Sequence, residues 1–288
     1  MGNIAFVTDS TAYLTPEQAN EYGIEVVPLS VLFGSETFRE GVDLTAEQFY
    51  ARLAHADKLP TTSQPTPGEF AAVFERLLKD HDSVLCLLLS GGLSGTVQSA
   101  EMAVKQVGGD VTVVDSRISS YGIAGPLLDG AALARQGGSK EDVLNLWRRE
   151  LEEMHAYFVI DTLEYLHKGG RIGGASAVFG ALLQIKPILT MNDGRIDLFE
   201  KVRTHRRAME RMLARFDEDA RDGRPLQVGV VHSRRLEDAE RLRQDLLARY
   251  PNVQADISEL GPVIGTHTGP GVLALVYYPR LSSRRDGQ

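Results

Sequence analysis

Short aliphatic runs alternate with helix-start signals along the first half of the chain, and this alternation restricts the fold more than any other feature. Ile4 to Thr8, Ile24 to Val27, Val84 to Leu89 and Val111 to Val114 are rich in β-branched and aliphatic residues and read as buried strands. Between them, Thr15-Pro16-Glu17-Gln18, Thr45-Ala46-Glu47-Gln48 and Thr66-Pro67-Gly68-Glu69 each carry a capping box. In such a box the threonine oxygen accepts from an orphan amide while the Gln or Glu reaches back to the cap. Strands separated by helices need crossover connections, so the pattern predicts a mainly parallel sheet. After a helical stretch, Lys140 to Met154, a second set of strands begins at Tyr157 to Ile160 and continues at Lys186 to Thr190, Val228 to Val231 and Val272 to Tyr278. A length of 288 residues suits two domains or one large α/β unit. The expected division is two α/β domains, residues 1–155 and 156–288, with the boundary near Met154 to Ala156. Arg234 to Tyr250 places Leu236, Ala239, Leu242, Leu246 and Leu247 at helical spacing, the pattern of a helix packed on a sheet. The polar tail Ser282 to Gln288 reads as a frayed end.

Charge and cysteine content remove several function classes. A formal net charge of -8 disfavours general binding to nucleic acid or to anionic membranes, which requires a basic surface. One cysteine, Cys86, lies inside the apolar run Val84 to Leu89, so neither an intramolecular disulfide nor a cysteine-rich metal site is expected. The seven histidines are scattered without a His-x-x-x-His pair, and a metal-free site follows as the expectation. No segment approaches the roughly 20 apolar residues of a membrane helix. The chain reads as soluble and cytoplasmic.

The candidate chemistry lies in loops that follow apolar segments. Gly261 to Gly271, between the expected strands Gln254 to Glu259 and Val272 to Tyr278, sets His267 between Thr266 and Thr268 on glycine-hinged backbone. Thr8-Asp9-Ser10, Thr61 to Pro65 and Ser90 to Thr96 bring further hydroxyls. In a parallel sheet, loops at the carboxyl ends of the strands converge on one crevice. Ser94 reads either as an N-cap of the helix through Val97 to Val104 or as a ligand hydroxyl where helix amides favour an anion. Thr62 reads as a turn residue or a ligand hydroxyl, and His267 as a histidine satisfied by backbone or as a functional imidazole. Lys168 to Gly174 adds Arg171 on flexible backbone before an apolar helix, Ala175 to Leu183, and Lys201 to Arg207 adds Arg203. The Ser90 to Thr96 loop lacks the lysine of a P-loop, no loop has the Rossmann glycine spacing, and Thr96 stands where a nucleophile elbow needs its last glycine. A Ser94–His267 dyad for acyl-ester or thioester hydrolysis would need Asp9 or Asp115 as its orienting acid.

Taken in order, Val7-Thr8-Asp9-Ser10, Thr62-Ser63-Gln64-Pro65, Leu93-Ser94-Gly95-Thr96, Val114-Asp115-Ser116, Lys168-Gly169-Gly170-Arg171-Ile172, Ile185-Lys186-Pro187 and Gly261 to Gly271 resemble the DegV family, with its FakB-type fatty-acid-binding members, over nearly the whole chain. The resemblance implies two α/β domains with one long-chain fatty acid between them, its acyl chain in an apolar tunnel and its carboxylate held by Thr62, Ser94 and His267. It implies supporting or partner-facing roles for Ser10, Gly95, Arg171, Arg203 and Thr266. It further implies a non-enzymatic subunit, without cofactor, that presents the carboxylate to a separate ATP-dependent fatty acid kinase and carries the acyl-phosphate towards phospholipid synthesis. The chain departs from the family pattern at Gly91, Glu40 and His167, where serine, aspartate and lysine are commoner.

Overall fold

The structure is a computed structural model that describes residues 3–181 and 185–281. The end of the expected helix Ala175 to Leu183 and the tail Ser282 to Gln288 lie outside the described residues. The first half runs β1 (Ile4–Asp9), α1 (Pro16–Tyr22), β2 (Ile24–Val27), β3 (Ser30–Phe33), β4 (Glu36–Arg39), α2 (Ala46–Leu53), β5 (Thr61–Ser63) and α3 (Pro67–Leu77). It continues through β6 (Ser83–Leu88), α4 (Thr96–Val107), β7 (Val111–Asp115), α5 (Tyr121–Arg135) and α6 (Lys140–Glu152). The second half runs β8 (His155–Val159), α7 (Glu164–Lys168), a 3-10 helix (Gly173–Ala181), β9 (Lys186–Asn192), β10 (Arg195–Val202) and α8 (His205–Ala220). It ends with β11 (Leu226–His232), α9 (Leu236–Arg249), β12 (Val253–Glu259), α10 (Pro262–Thr268) and β13 (Leu273–Pro279).

All three threonine capping boxes form, and each starts its helix at the residue after the cap. The first sheet has the order β2-β1-β6-β7 and every pairing is parallel. Side-chain alternation along β1 and β6 divides its two faces: Ala5, Val7, Val84, Cys86 and Leu88 pack with Phe70 and Phe74 of α3 and Ala100 of α4. Phe6, Leu85 and Leu87 join α5, α6 and the inner face of the second sheet in the largest core cluster. There Trp147 is fully buried and donates to the Pro126 carbonyl at 2.7 Å.

The second sheet, β10-β9-β8-β13-β11-β12, is chiefly antiparallel, with β11 and β12 its parallel pair. One face carries Val228, Val230, Leu275 and Tyr277 against Met212 and Phe216 of α8 and Leu242 and Leu246 of α9. The other presents Ala156, Val231, Ala274 and Val276 towards the first half of the chain. A small antiparallel sheet has the order β4-β3-β5, and its β3 and β5 contact α10.

Four expectations need correction. The His267 segment is the seven-residue helix α10 rather than a loop. Pro262 presets the first helical φ, Thr266 and Thr268 donate their hydroxyls to the Pro262 and Ile264 carbonyls, and Gly269 ends the helix at φ 70. Thr61 to Ser63, expected as loop, form strand β5, because Thr62 finds a partner in Val31 that local sequence does not announce. The apolar stretch after Gly174 is described as 3-10 helix over Gly173–Ala181. In α9, Leu236 and Leu247 are exposed, so only Ala239, Leu242 and Leu246 form its buried stripe.

Candidate functional site

A cavity of about 390 Å³ lies between the carboxyl ends of the first sheet's strands and the inner face of the second sheet. Leu89 and Ile118 line it from the first side, and Val231, Ala274 and Val276 from the second. Thr62, Ser94, His267 and Arg171 line it together. Gln64 and Arg171 in this group are exposed, so the polar end opens to solvent. The expected meeting of hydroxyl loops therefore holds for Thr62, Ser94 and His267, which come from β5, the turn before α4, and α10.

His267 is positioned from two directions. Its Nε2 lies 2.8 Å from Thr62 Oγ1, while its Nδ1 is buried without a hydrogen-bond partner among the described residues. An unpaired acceptor at Nδ1 costs less than an unpaired N–H there, which favours the tautomer with the proton on Nε2. In that tautomer Nε2–H donates to Thr62 Oγ1 and the Thr62 hydroxyl is free to donate into the cavity. Burial, then the Arg171 charge, pushes the imidazole down to about 4, so it is neutral at physiological pH. Gly169 packs against Nδ1 so closely that a Cβ there would collide with the ring.

Ser94 precedes the helix cap instead of being it. Gly95 holds the N-cap position of α4 without a side-chain bond, and Ser94 Oγ pairs with Thr96 Oγ1 at 2.9 Å. A side chain at Gly95 would displace the end of Gln64, whose amide donates to Ser99 Oγ at 3.1 Å. Arg171 bridges two walls of the opening, donating from Nε to the Leu93 carbonyl at 3.1 Å and from Nη1 to the Gly169 carbonyl at 2.8 Å.

The other expected residues lie elsewhere. Ser10 is buried, donates to Glu40 Oε2 at 2.5 Å and accepts from Leu29 N at 3.0 Å. Thr266 is buried within α10, and Arg203 is exposed between β10 and α8, outside the cavity lining. Sequence reasoning missed what holds α10: Glu40 Oε1 accepts from Val263 N at 2.7 Å, the Tyr13 hydroxyl accepts from Ile264 N at 3.1 Å, and the Tyr50 hydroxyl donates to the Leu260 carbonyl at 3.0 Å. More than two hundred residues separate each pair, so no local pattern could reveal it. Burial pushes the Glu40 carboxyl up to about 7 against the lowering effect of its Ser10 and Val263 bonds.

A dyad is not assembled. No hydrogen bond joins Ser94 to His267 among the described residues; Asp9 accepts from Thr11 and Leu89, and Asp115 from Gly91 and Arg117. Among the described residues no helix is long and apolar enough to cross a membrane.

A family model described as "Uncharacterised protein, DegV family" matches residues 3–280. A DegV domain-containing protein of Halalkalibacterium halodurans is 43% identical over 280 residues, spanning 96% of this chain and 99% of the relative. Protein DegV of Bacillus subtilis is 42% identical over 281 residues, with the same shares. Among solved structures, Bacillus subtilis DegV, a fatty acid binding protein, superposes with a TM-score of 0.91 at 40% identity, covering 97% of this chain and 100% of that one. A DegV family protein from Thermus thermophilus, described for its fatty acid binding, superposes at 0.92 with 38% identity, covering 96% and 100%. The match runs almost end to end in sequence and in fold, and the chain belongs to the DegV family.

Proposed function

We propose that this chain binds a long-chain fatty acid, with the acyl chain in the cavity between the sheets and the carboxylate held at the Thr62, Ser94 and His267 end, Thr62 and Ser94 donating to it and His267 orienting the Thr62 hydroxyl. The observation that carries the reading is a set of neutral donors at the open end of a cavity whose remaining wall is largely aliphatic. Its volume falls within the roughly 300–1,000 Å³ of small-molecule sites. Each methylene buried there contributes about 0.8 kcal/mol, so most of the affinity comes from the chain and the orientation from the head group. Thr62 donates through its His267-oriented hydroxyl, and Ser94 donates beside the start of α4, where helix amides favour negative charge. Fatty-acid binding by the Bacillus and Thermus relatives supports the same ligand class here.

The chain is a substrate-presenting subunit and not an enzyme. It offers the carboxylate at the open end to a separate ATP-dependent fatty acid kinase in the cytoplasm, and then carries the acyl-phosphate towards phospholipid synthesis. The absence of a P-loop or Rossmann fingerprint in its sequence fits this division of labour. Arg171, at the opening, and Arg203, on the surface, are partner-facing, and Ser10, Gly95 and Thr266 support the loops. Residues 1–155 and 156–288 form two domains with the ligand at their interface.

Solvent extraction of the purified protein followed by mass spectrometry tests the core of this reading. A near-stoichiometric fatty acid is expected. Lipid-free protein that also fails to take up added long-chain acids overturns it.

A further inference from the structure

Ser90 follows β6, is fully buried, and directs each of its polar groups to a different part of the cavity wall. Its N–H donates to the Ile118 carbonyl at 2.9 Å, and its carbonyl accepts from Leu93 N at 3.0 Å and from Ser94 N at 3.1 Å. Its hydroxyl donates to the Gly194 carbonyl at 2.7 Å and accepts from Gly92 N at 3.1 Å. Ile118, Leu93 and Ser94 line the cavity. So do Met191 and Ile196, a cross-strand pair on β9 and β10 beside the turn that holds Gly194.

The hydroxyl joins two segments that come from different halves of the chain. One is Gly91-Gly92, which leads into Leu93 and Ser94. Two consecutive glycines place little restriction on the backbone, so the Gly92 N–H bond to Ser90 Oγ is what fixes the approach to Ser94. The other is the tip of the β9–β10 hairpin at the edge of the second sheet. Backbones meet there without side chains between them: a Cβ on Gly92 would lie 2.5 Å from the Gly194 carbonyl oxygen, and one on Gly194 would lie 2.6 Å from Ser90 Oγ. Arg117 pairs with Asp193 of the same turn at 3.1 Å, but both side chains are largely in water and such a pair contributes little. The buried Ser90 bond therefore holds the junction. A hydroxyl has one proton and two lone pairs. Donation to Gly194 fixes its rotation, and that rotation aims a lone pair at Gly92 N–H.

We propose that Ser90 is a positioning residue of the carboxylate site: through this one hydroxyl, docking of the β9–β10 hairpin, whose Met191 and Ile196 wall the acyl cavity, sets the direction in which Ser94 donates. Closure of the acyl wall and recognition of the head group are then a single event. The inference rests on the fatty-acid reading of the cavity.

The test is displacement of a fluorescent fatty acid from delipidated full-length protein by octadecanoic acid and by octadecan-1-ol, which has the same chain and no charge. The native chain is compared with Ser90→Ala, Ser94→Ala, the double variant, and Gly194→Ala, which keeps the Ser90 hydroxyl but pushes the hairpin tip away from it. Ser90→Ala is expected to bind the acid about fivefold more weakly with little change for the alcohol, and Gly194→Ala to reproduce that loss. Because Ser90 acts through Ser94, the double variant binds the acid no more weakly than Ser94→Ala alone. Native affinity for the acid in Ser90→Ala overturns the assignment. Equal losses for acid and alcohol also overturn it, since a merely structural role affects both, as do losses that add in full in the double variant. Gly194→Ala with native preference for the acid overturns the dependence on the hairpin, and stands as a separate test should Ser90→Ala not fold. Failure of octadecanoic acid to bind native protein overturns the fatty-acid reading beneath it.

Discussion

At the scale of single residues, the proposed head-group end presents hydroxyls whose directions are set by neighbours. Thr62 can donate to a carboxylate because His267 Nε2–H occupies its acceptor side at 2.8 Å. Replacing His267 with alanine frees Thr62 to rotate and removes a buried ring, and a loss of about 1–3 kcal/mol, roughly 5- to 150-fold in fatty-acid affinity, is expected by titration. Thr62→Ala and Ser94→Ala each lose about tenfold, while Arg203→Ala, outside the cavity, leaves affinity unchanged. Glu40 makes a different prediction. Its folded-state carboxyl is pushed up to about 7 by burial, whereas the unfolded side chain titrates near 4.5. As pH rises from about 4.5 to 7 the unfolded chain loses a proton that the fold retains. The stability this group contributes is therefore present in acid and is lost by pH 7, on the order of 3 kcal/mol. His267, held near 4, works in the opposite sense, its effect appearing as pH falls below about 6.5. Urea unfolding of Glu40→Gln across this range should show the variant gaining on the native chain as pH rises; parallel profiles contradict the assignment.

Among the elements, α10 matters most to the site, and it is too short to stand by itself. Of its opening amides, Val263 N–H is taken by Glu40 and Ile264 N–H by Tyr13, and its close depends on Gly269 at φ 70 against the Tyr165 ring. Gly269→Ala meets both an unfavourable backbone region and that ring. A destabilisation of about 1–3 kcal/mol is expected by urea unfolding, with weaker fatty-acid binding because His267 lies two residues earlier. A run of glycines and threonines reads as loop by propensity. It folds as helix here because distant carboxylate and phenol groups satisfy the amides that the sequence leaves open.

For the whole molecule, the cavity lies where two sheets meet, so a ligand bound there touches both halves and stabilises the folded state by mass action. At a fatty-acid concentration about a hundred times the dissociation constant the gain is about 2.7 kcal/mol. Calorimetry of loaded against delipidated protein should show a rise in Tm of roughly 5–10 °C. The polar turn Asp193-Gly194 between β9 and β10 adds a direct tie between the halves, since the Gly194 carbonyl accepts from Ser90 Oγ at 2.7 Å. Sequence periodicity located the parallel first sheet because each of its strands announces itself through an aliphatic, β-branched run, although only β1 and β6 are buried along nearly their whole length. β3, β4 and β10 carry mixed exposure and no such run, and they escaped notice.

The amino-acid sequence by itself determined the four strands of the parallel sheet, the three threonine-capped helix starts, and the family, because these depend on contacts within a few residues or on ordered motifs. Only the tertiary structure decided that Thr62 is a strand residue paired to His267, that Ser94 stands one place before its helix cap, and that Glu40 and Tyr13 hold α10. Each of those depends on groups far apart in the chain, whose burial and pairing are set by how the two sheets pack and not by any neighbour in sequence.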